Sequence, residues 1–304
     1  MKKLNVAIIG LGKIGLGYDL ASENGVRSHT KAILGNRHTK LILGIDPNYE
    51  ARSLFEDISK SASYTSLEEV PDGISTQIDI LVMSTPSHSR VLDLNMLLKK
   101  FSKINFLILE KPVALTLSES QELRALLEKK HLTNKVLVNY IRRCNPFFVK
   151  LRNRIQSNEF GEIKKINLLY SDALINMGSH FIDLVNYFFS FNFKVISKSN
   201  FVPLAHQDFL ADAELVSSEI KFSIQASNEN KFELTMVFEK LNVQILNSGS
   251  RIIVDDEEIF VDLSRYQEDV VNHLIDAIKN KTPILSDFDS AEKALEICEN
   301  IRRF

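Results

Sequence analysis

The sequence predicts an α/β protein in two parts: a doubly wound parallel sheet, then an α/β domain built on a mostly antiparallel open sheet. Three observations carry this expectation. Gly10-Leu11-Gly12-Lys13-Ile14-Gly15 directly follows an apolar run, Leu4 to Ile9, so a glycine-rich turn leads out of a strand. Short apolar runs then alternate with helix-like stretches through the first 140 residues. From 216 to 263 the pattern becomes an alternation of apolar and polar residues.

In the first part, strand-like runs cover Leu4–Ile9, Leu41–Ile45, Ile78–Ser84, Ile104–Leu109 and Val136–Tyr140. Most are continuously apolar, as strands buried on both faces are. Helix-like stretches include Val91 to Phe101 and Leu117 to Lys130, the second opened by the capping pair Thr116 and Glu119. Strand and helix in alternation imply crossover connections and a parallel sheet. The pattern changes near Arg142. A helix-like stretch from Asn145 to Gln156 places Phe147, Phe148, Leu151 and Ile155 on one face. Ile220, Phe222 and Ile224 then alternate with Lys221, Ser223 and Gln225, and Phe232, Leu234, Met236 and Phe238 repeat the pattern after a polar turn. Further strands are expected at Val243–Leu246, Arg251–Val254 and Glu258–Leu263, and two helices close the chain. The division follows as 1–143 and 144–304, with the last helix, about 287–303, packing back on the first domain.

The chain has 304 residues, 44% hydrophobic and 25% charged, which is enough apolar mass for a sizeable core. A formal net charge of −2 provides no global field for nucleic acid or an anionic membrane. No run of about 18 apolar residues offers a membrane span. Cys144 and Cys298 match no metal or redox spacing, so no metal site is expected and both read as reduced thiols of a cytoplasmic protein. The period-two sheet needs a cover for one face, so a homodimer or homotetramer is expected.

The site motifs lie at the carboxyl ends of the predicted strands, where an open α/β sheet binds its ligand. Gly10, Gly12 and Gly15, with Lys13 and Ile14 between them, suit a dinucleotide pyrophosphate, because such glycines permit a tight turn and close approach of backbone to phosphate. Asp46 ends the second strand, where a carboxylate would accept hydrogen bonds from the adenosine ribose and repel a 2′-phosphate. That favours NAD, with NADP possible through Arg27 or Arg52. Asp46 lies 31 positions after Gly15, beyond the usual separation of about 20, and the surplus falls in an inserted loop between Gly17 and Thr30. Ser84-Thr85-Pro86 ends a third strand as a candidate cofactor contact, balanced against a plain proline-ended strand. Glu110-Lys111-Pro112 ends a fourth and puts an ammonium group near the reactive end of the cofactor. His29 and His88 could reach the cofactor region, His88 as a candidate contact, although a structural role is expected of both. Asn176, His180 and Asp183 are spaced to share one helix face, which reads equally as a solvated stripe or as a site.

Together these elements, with Asn139-Tyr140-Ile141-Arg142-Arg143 and Gly178-Ser179-His180-Phe181-Ile182-Asp183, resemble the Gfo/Idh/MocA family, named for glucose-fructose oxidoreductase and inositol dehydrogenase. The likeness covers essentially the whole chain. It implies an N-terminal Rossmann domain, a C-terminal domain whose open sheet covers the active site and often mediates oligomerisation, and hydride transfer between NAD(P) and sugars, inositols or nucleotide-linked sugars. It also implies that Lys111 lies near the nicotinamide and that His180 is the acid/base. The family commonly carries aspartate where this chain has Asn176, and an amide neither tunes a histidine as a carboxylate does nor relays a proton. Asparagine there is similar to the members acting on nucleotide-linked sugars.

The expectation is therefore an NAD(P)-dependent oxidoreductase. His180 would take the proton of a sugar hydroxyl, Lys111 would stabilise developing charge on the same oxygen, and Asn176 would orient His180 or substrate. Tyr140, Arg142, Asn176 and Asp183 are the candidate substrate contacts, the arginine suiting a phosphate or carboxylate. The substrate would be a nucleotide-linked or carboxylated sugar. The alternatives are a free-sugar or inositol dehydrogenase, an imine or double-bond reductase, and a non-catalytic dinucleotide-binding regulator.

Overall fold

A computed structural model describes residues 2–20 and 24–304. The chain divides into two compact units: Met1–Val113, Ser118–Cys144 and Ser264–Phe288 form the first, and Ala114–Leu117, Asn145–Leu263 and Asp289–Phe304 the second.

The first unit contains β1 (Leu4–Ile9), α1 (His29–Gly35), β2 (Thr39–Ile45), α2 (Tyr49–Ser59), β3 (Ala62–Tyr64), α3 (Asp72–Ser75), β4 (Ile80–Met83), α4 (Arg90–Lys100), β5 (Phe106–Leu109), α5 (Leu117–Lys129) and β6 (Val136–Val138). The six strands are all parallel, in the order β3-β2-β1-β4-β5-β6. The order reverses between β1 and β4, which opens a crevice at their carboxyl ends. All four residues of β4 are buried, as the continuous apolar run predicts. Strands β4 and β6 end before Ser84 and Tyr140, which the expected runs included, while β5 ends at Leu109 as expected, with Glu110 just beyond it.

The chain returns to this unit through α8 (Tyr266–Asn280). This corrects the expectation that the last helix, about 287–303, does so: residues from Asp289 onward, most of α9 (Phe288–Arg303), group with the second unit. Val270, Val271, Leu274 and Ile275 of α8 join Leu11, Leu16, Ala32 and Ile33 in one buried cluster. Each such side chain contributes about 1.5–3 kcal/mol of burial. Both closing helices are amphipathic, so the pattern alone does not say which sheet each one covers.

After α8 the chain runs beside β6. The Val138 amide donates to the Ser286 carbonyl at 2.8 Å, and the Ser286 hydroxyl donates to the Val138 carbonyl at 2.6 Å. His273 fastens this segment by accepting from the Leu285 amide through Nε2 at 2.9 Å. Burial holds the His273 pKa below its ordinary value of 6.5, against a smaller upward pull from Asp276. The unfolded chain therefore takes up this proton more readily than the folded one. The His273 contribution is fully present above 6.5 and is lost as the pH falls through the lower folded value. On going from about pH 7.5 to about pH 5.5, the melting temperature of His273→Gln should fall by a few degrees less than that of the parent. Equal losses in scanning calorimetry would remove His273 from the acid response.

The second unit contains α6 (Pro146–Gln156), β7 (Ile163–Tyr170), α7 (Ser179–Phe188), β8 (Lys194–Pro203), β9 (Phe209–Ser217), β10 (Ile220–Ala226), β11 (Glu233–Phe238), β12 (Asn242–Leu246), β13 (Arg251–Val254) and β14 (Glu257–Phe260). Its eight-stranded sheet runs β14-β13-β12-β11-β7-β10-β9-β8. Only the β7–β10 pair is parallel. The alternation read from sequence is real: Leu234, Met236 and Phe238 are buried, while Glu233, Thr235 and Val237 are half-buried. Among the described residues, no helix is long and apolar enough to cross a membrane, and no cluster of three or more His, Cys, Asp or Glu is placed to hold a metal. Both cysteines are buried thiols.

Candidate active site

The glycine turn leaves β1 into a short helix-like turn whose hydrogen bonding is taken up later by α1. Leu16 and Gly17 donate to the Gly12 carbonyl at 2.9 and 3.0 Å, and Tyr18 donates to Lys13 at 2.8 Å. The chain then leaves this turn, and in α1 His29 donates to the Ile14 carbonyl at 2.9 Å and Thr30 to Gly15 at 3.0 Å. In a continuous α-helix the residue bonding to Ile14 would be Tyr18. His29 takes that place 11 positions later, so α1 takes up the hydrogen bonding of the glycine turn across an insertion of 11 positions. This accounts for the long separation to Asp46: 31 positions less the 11 of the excursion leaves 20. The Asp19 carboxylate ties the two ends of the excursion together, accepting from the Arg27 amide and from the Ser28 amide and hydroxyl at 2.7–3.0 Å.

The three glycines have three different reasons. Gly10 has φ +91°, and a Cβ there would come within 2.9 Å of the Ser84 backbone. A Cβ on Gly15 would stand 2.2 Å from the Gly10 carbonyl oxygen. A Cβ on Gly12 meets nothing within 4 Å, so this glycine faces open space. Ser84 locks the turn from the neighbouring strand, its hydroxyl donating to the Gly10 and Ile9 carbonyls at 2.7 and 3.0 Å. Asp46 accepts from the Leu11 amide through Oδ2 at 2.7 Å and from the Asn48 amide through Oδ1 at 2.8 Å. The acidic residue is thus fixed to the glycine turn itself. Arg52 donates to the Asp46 and Pro47 carbonyls at 2.9 and 3.0 Å and closes the β2–α2 turn. Thr85 Oγ1 is buried without a hydrogen-bond partner among the described residues. A turn open only at its central glycine, a fixed carboxylate and an orphaned hydroxyl at one crevice fit a dinucleotide.

Two strands further on, Lys111 is half-buried between anchored neighbours. Glu110 Oε1 receives hydrogen bonds at 2.7 Å from both His29 Nε2 and Asn139 Nδ2. The Lys111–Pro112 peptide is cis, and the Pro112 and Val113 carbonyls accept from Arg90 Nη1. Tyr140 and Arg142, expected as substrate contacts, are buried at 2% and 8% exposure in this unit. Their segment folds into the 3₁₀ turn Ile141–Cys144, where a strand extending to Tyr140 was expected. His88 stands exposed on another 3₁₀ turn, Ser87–Ser89, along a groove of about 900 Å³ between α4 and α5.

In the second unit, Asn176 belongs to a π-helical turn, Leu174–Gly178, and α7 begins only at Ser179. The expected single α-helical face through Asn176, His180 and Asp183 is therefore broken before His180. Asn176 is exposed, His180 half-buried and Asp183 buried, so the three do not form a solvated stripe. Asp208, which the sequence reading passed over, caps the π turn by accepting from the Ile175 and Asn176 amides at 2.8 Å each. Arg90 was likewise missed in the first unit, and the pairing of His29 and Asn139 with Glu110 was not read, since the partners lie 22, 81 and 29 positions away.

A parallel sheet with a glycine turn and a fixed acidic residue at its switch point defines a dinucleotide-binding domain. Residues 4–140 match the model of the Gfo/Idh/MocA family, an oxidoreductase family with an NAD-binding Rossmann fold, and the protein is an NAD(P)-dependent oxidoreductase. No curated protein matches the chain in sequence. Solved structures match across both units. A dehydrogenase (MviM) from Clostridium difficile is 18% identical, with 99% of each chain covered and a TM-score of 0.76. UDP-N-acetylglucosamine 3-dehydrogenase GnnA from Acidithiobacillus ferrooxidans is 14% identical, with 100% of this chain and 98% of that chain covered and a TM-score of 0.76. The WlbA dehydrogenase from Bordetella pertussis, in complex with NADH and UDP-GlcNAcA, is 16% identical, covers 99% and 95%, and also has a TM-score of 0.76. At these identities the shared property is the fold.

Proposed function

We propose that the protein transfers hydride between NAD(H) and a hydroxyl or ketone of a nucleotide-linked or carboxylated sugar. The observation that carries the reading is Lys111, anchored on both sides at the carboxyl end of β5, in the sheet whose switch point holds the glycine turn and Asp46. When bound, the nicotinamide supplies the hydride acceptor or donor. Gly12 leaves room for the pyrophosphate, and Asp46 accepts from the adenosine ribose. Lys111 donates to the reacting oxygen and stabilises the negative charge that develops there. His180 takes or returns the hydroxyl proton, a role suited to imidazole because it exchanges protons near neutrality. Asn176 in place of an aspartate, the substrate in one structural neighbour's name and the UDP-GlcNAcA bound to another support a nucleotide-linked sugar. Arg142 adds little to that choice, since it is buried.

The test begins with separate titrations of NADH and NADPH followed by cofactor fluorescence, which suits a chain without tryptophan. Saturable binding with at least about tenfold preference for NADH is expected, since a ribose-side carboxylate disfavours a 2′-phosphate. Preference for NADPH would overturn the role of Asp46. A panel of UDP- and TDP-linked sugars, uronic acids, free sugars and inositols follows. Turnover confined to free sugars or inositols would overturn the substrate class, and tight cofactor binding without any turnover would make the protein a binding module.

A further inference from the structure

Lys111 is flanked by an arrangement that binding a cofactor does not by itself require. The two donors to Glu110, His29 and Asn139, are joined through a fourth side chain. Gln267 Nε2 lies 2.7 Å from His29 Nδ1, and Gln267 Oε1 accepts from Asn139 Nδ2 at 3.1 Å. Glu110, His29, Gln267 and Asn139 thus close a ring of hydrogen bonds. The ring has one consistent set of protons. Gln267 Oε1 is taken by Asn139, so its Nε2 donates to His29 Nδ1. His29 is then the neutral tautomer protonated at Nε2, and it donates to the Glu110 carboxylate. His29 and Gln267 are 0% exposed and Asn139 is 2% exposed, so water does not compete for these bonds.

Two departures from a plain doubly wound domain deliver the ring. The excursion at 18–28 leads into α1 at His29, and α8 brings Gln267 from the far end of the chain. The two are tied to each other: the Val26 amide donates to the Ser264 carbonyl at 2.9 Å, and the Gln267 amide donates to the Val26 carbonyl at 3.1 Å. On the other side of Lys111 stands Arg90, 1% exposed, whose guanidinium holds the Pro112 and Val113 carbonyls. A buried cation is a costly device for binding two neutral carbonyls. Burial lowers its pKa to about 10, with Glu110 the largest opposing charge.

We propose that His29, Gln267 and Arg90 are positioning residues for Lys111, fixing the chain on both sides of the lysine and keeping an ionised carboxylate beside it. This rests on the reading of Lys111 as the ammonium of the hydride-transfer site. Burial alone would raise the Glu110 carboxyl, while the hydrogen bonds from His29 and Asn139 and the charge of Lys111 pull it down. Besides His29 and Lys111, the titratable groups that interact with Glu110 are Arg90 and Tyr266.

The experiment is competitive acetylation of the full chain with acetic anhydride across a pH series, with Lys111 followed by peptide mass spectrometry and with NADH titrations run in parallel. Removing a neighbouring negative charge lowers an ammonium pKa by about one unit, so Glu110→Gln should acetylate Lys111 about tenfold faster at mildly alkaline pH. His29→Leu removes a donor but not the charge, and should give about threefold. His29→Gln keeps an N–H donor and should move back toward the parent profile. NADH affinity should stay within about threefold throughout, because the glycine turn and Asp46 are untouched. Parental Lys111 profiles in both Glu110→Gln and His29→Leu would overturn the proposal. Should His29→Leu fail to fold, the nearly isosteric Glu110→Gln decides alone. Failure of the functional reading looks different: Lys111→Ala would keep turnover while the acetylation shifts remained.

Discussion

Gly12→Asp is expected to fold as the parent does and to lose dinucleotide binding by at least about 100-fold, or about 2.7 kcal/mol. Most substitutions in a glycine fingerprint confuse folding with binding. Here the positions separate. A side chain on Gly12 meets no protein atom within 4 Å, whereas one on Gly15 would be driven 2.2 Å from a backbone oxygen. Aspartate at position 12 would fill the space assigned to the pyrophosphate and add like charge, so steric and electrostatic terms act together. Its melting temperature should match the parent within about one degree, as exposed substitutions away from packed contacts cost little. Gly15→Ala is the contrasting case: the backbone must move, and a markedly lower melting temperature should accompany the loss of binding. NADH fluorescence titrations and thermal melts on the two variants resolve the pair. A folded Gly12→Asp that binds NADH with parental affinity would detach the turn from the cofactor altogether.

The parallel unit was legible because its signals are local. β1, β4 and β5 are short apolar runs, and the glycine turn declares its strand and helix within a few residues. The sheet of the second unit was read from β10 to β14, most cleanly at β10 and β11, and missed at β7, β8 and β9. In β7 the pairing with β11 shifts register between Val237 and Phe238, so Lys164 and Lys165 are successive exposed residues and the period of two is broken. β8 carries two such shifts, with Asn200 at φ +51°, and only two of its ten residues are even half-buried. No periodicity survives that. The site divides the same way. Lys111 and Asp46 announce themselves at strand ends, and the loop inserted after Gly15 was visible as a spacing surplus. That the chain after this loop brings His29 to Glu110 depends on a contact spanning 81 residues. Gln267 meets His29 across 238 residues, a partnership with no trace in either local sequence. The π turn before α7 defeated a spacing argument that assumed 3.6 residues per turn throughout.

With a sugar nucleotide that the parent turns over, Lys111→Ala should lower kcat by about 10²–10³-fold while NADH affinity changes by less than about fivefold. The split follows from what the lysine is proposed to do. A donor aimed at charge that develops only during the reaction contributes to the transition state and little to the ground state, so its loss appears in kcat more than in binding. Lys111→Arg keeps the charge but spreads it over a wider planar group at a position held between Glu110 and Pro112, and it should recover only a small part of the rate. His180→Ala should lower kcat separately and flatten the limb of the pH–rate profile near neutrality, because the group proposed to exchange the proton is gone. The two variants combined should lose less than the product of the single losses if both residues serve one step. If Lys111→Ala and His180→Ala each keep turnover within about threefold, with cofactor binding intact, neither residue carries the chemistry and hydride transfer must rely on placement alone.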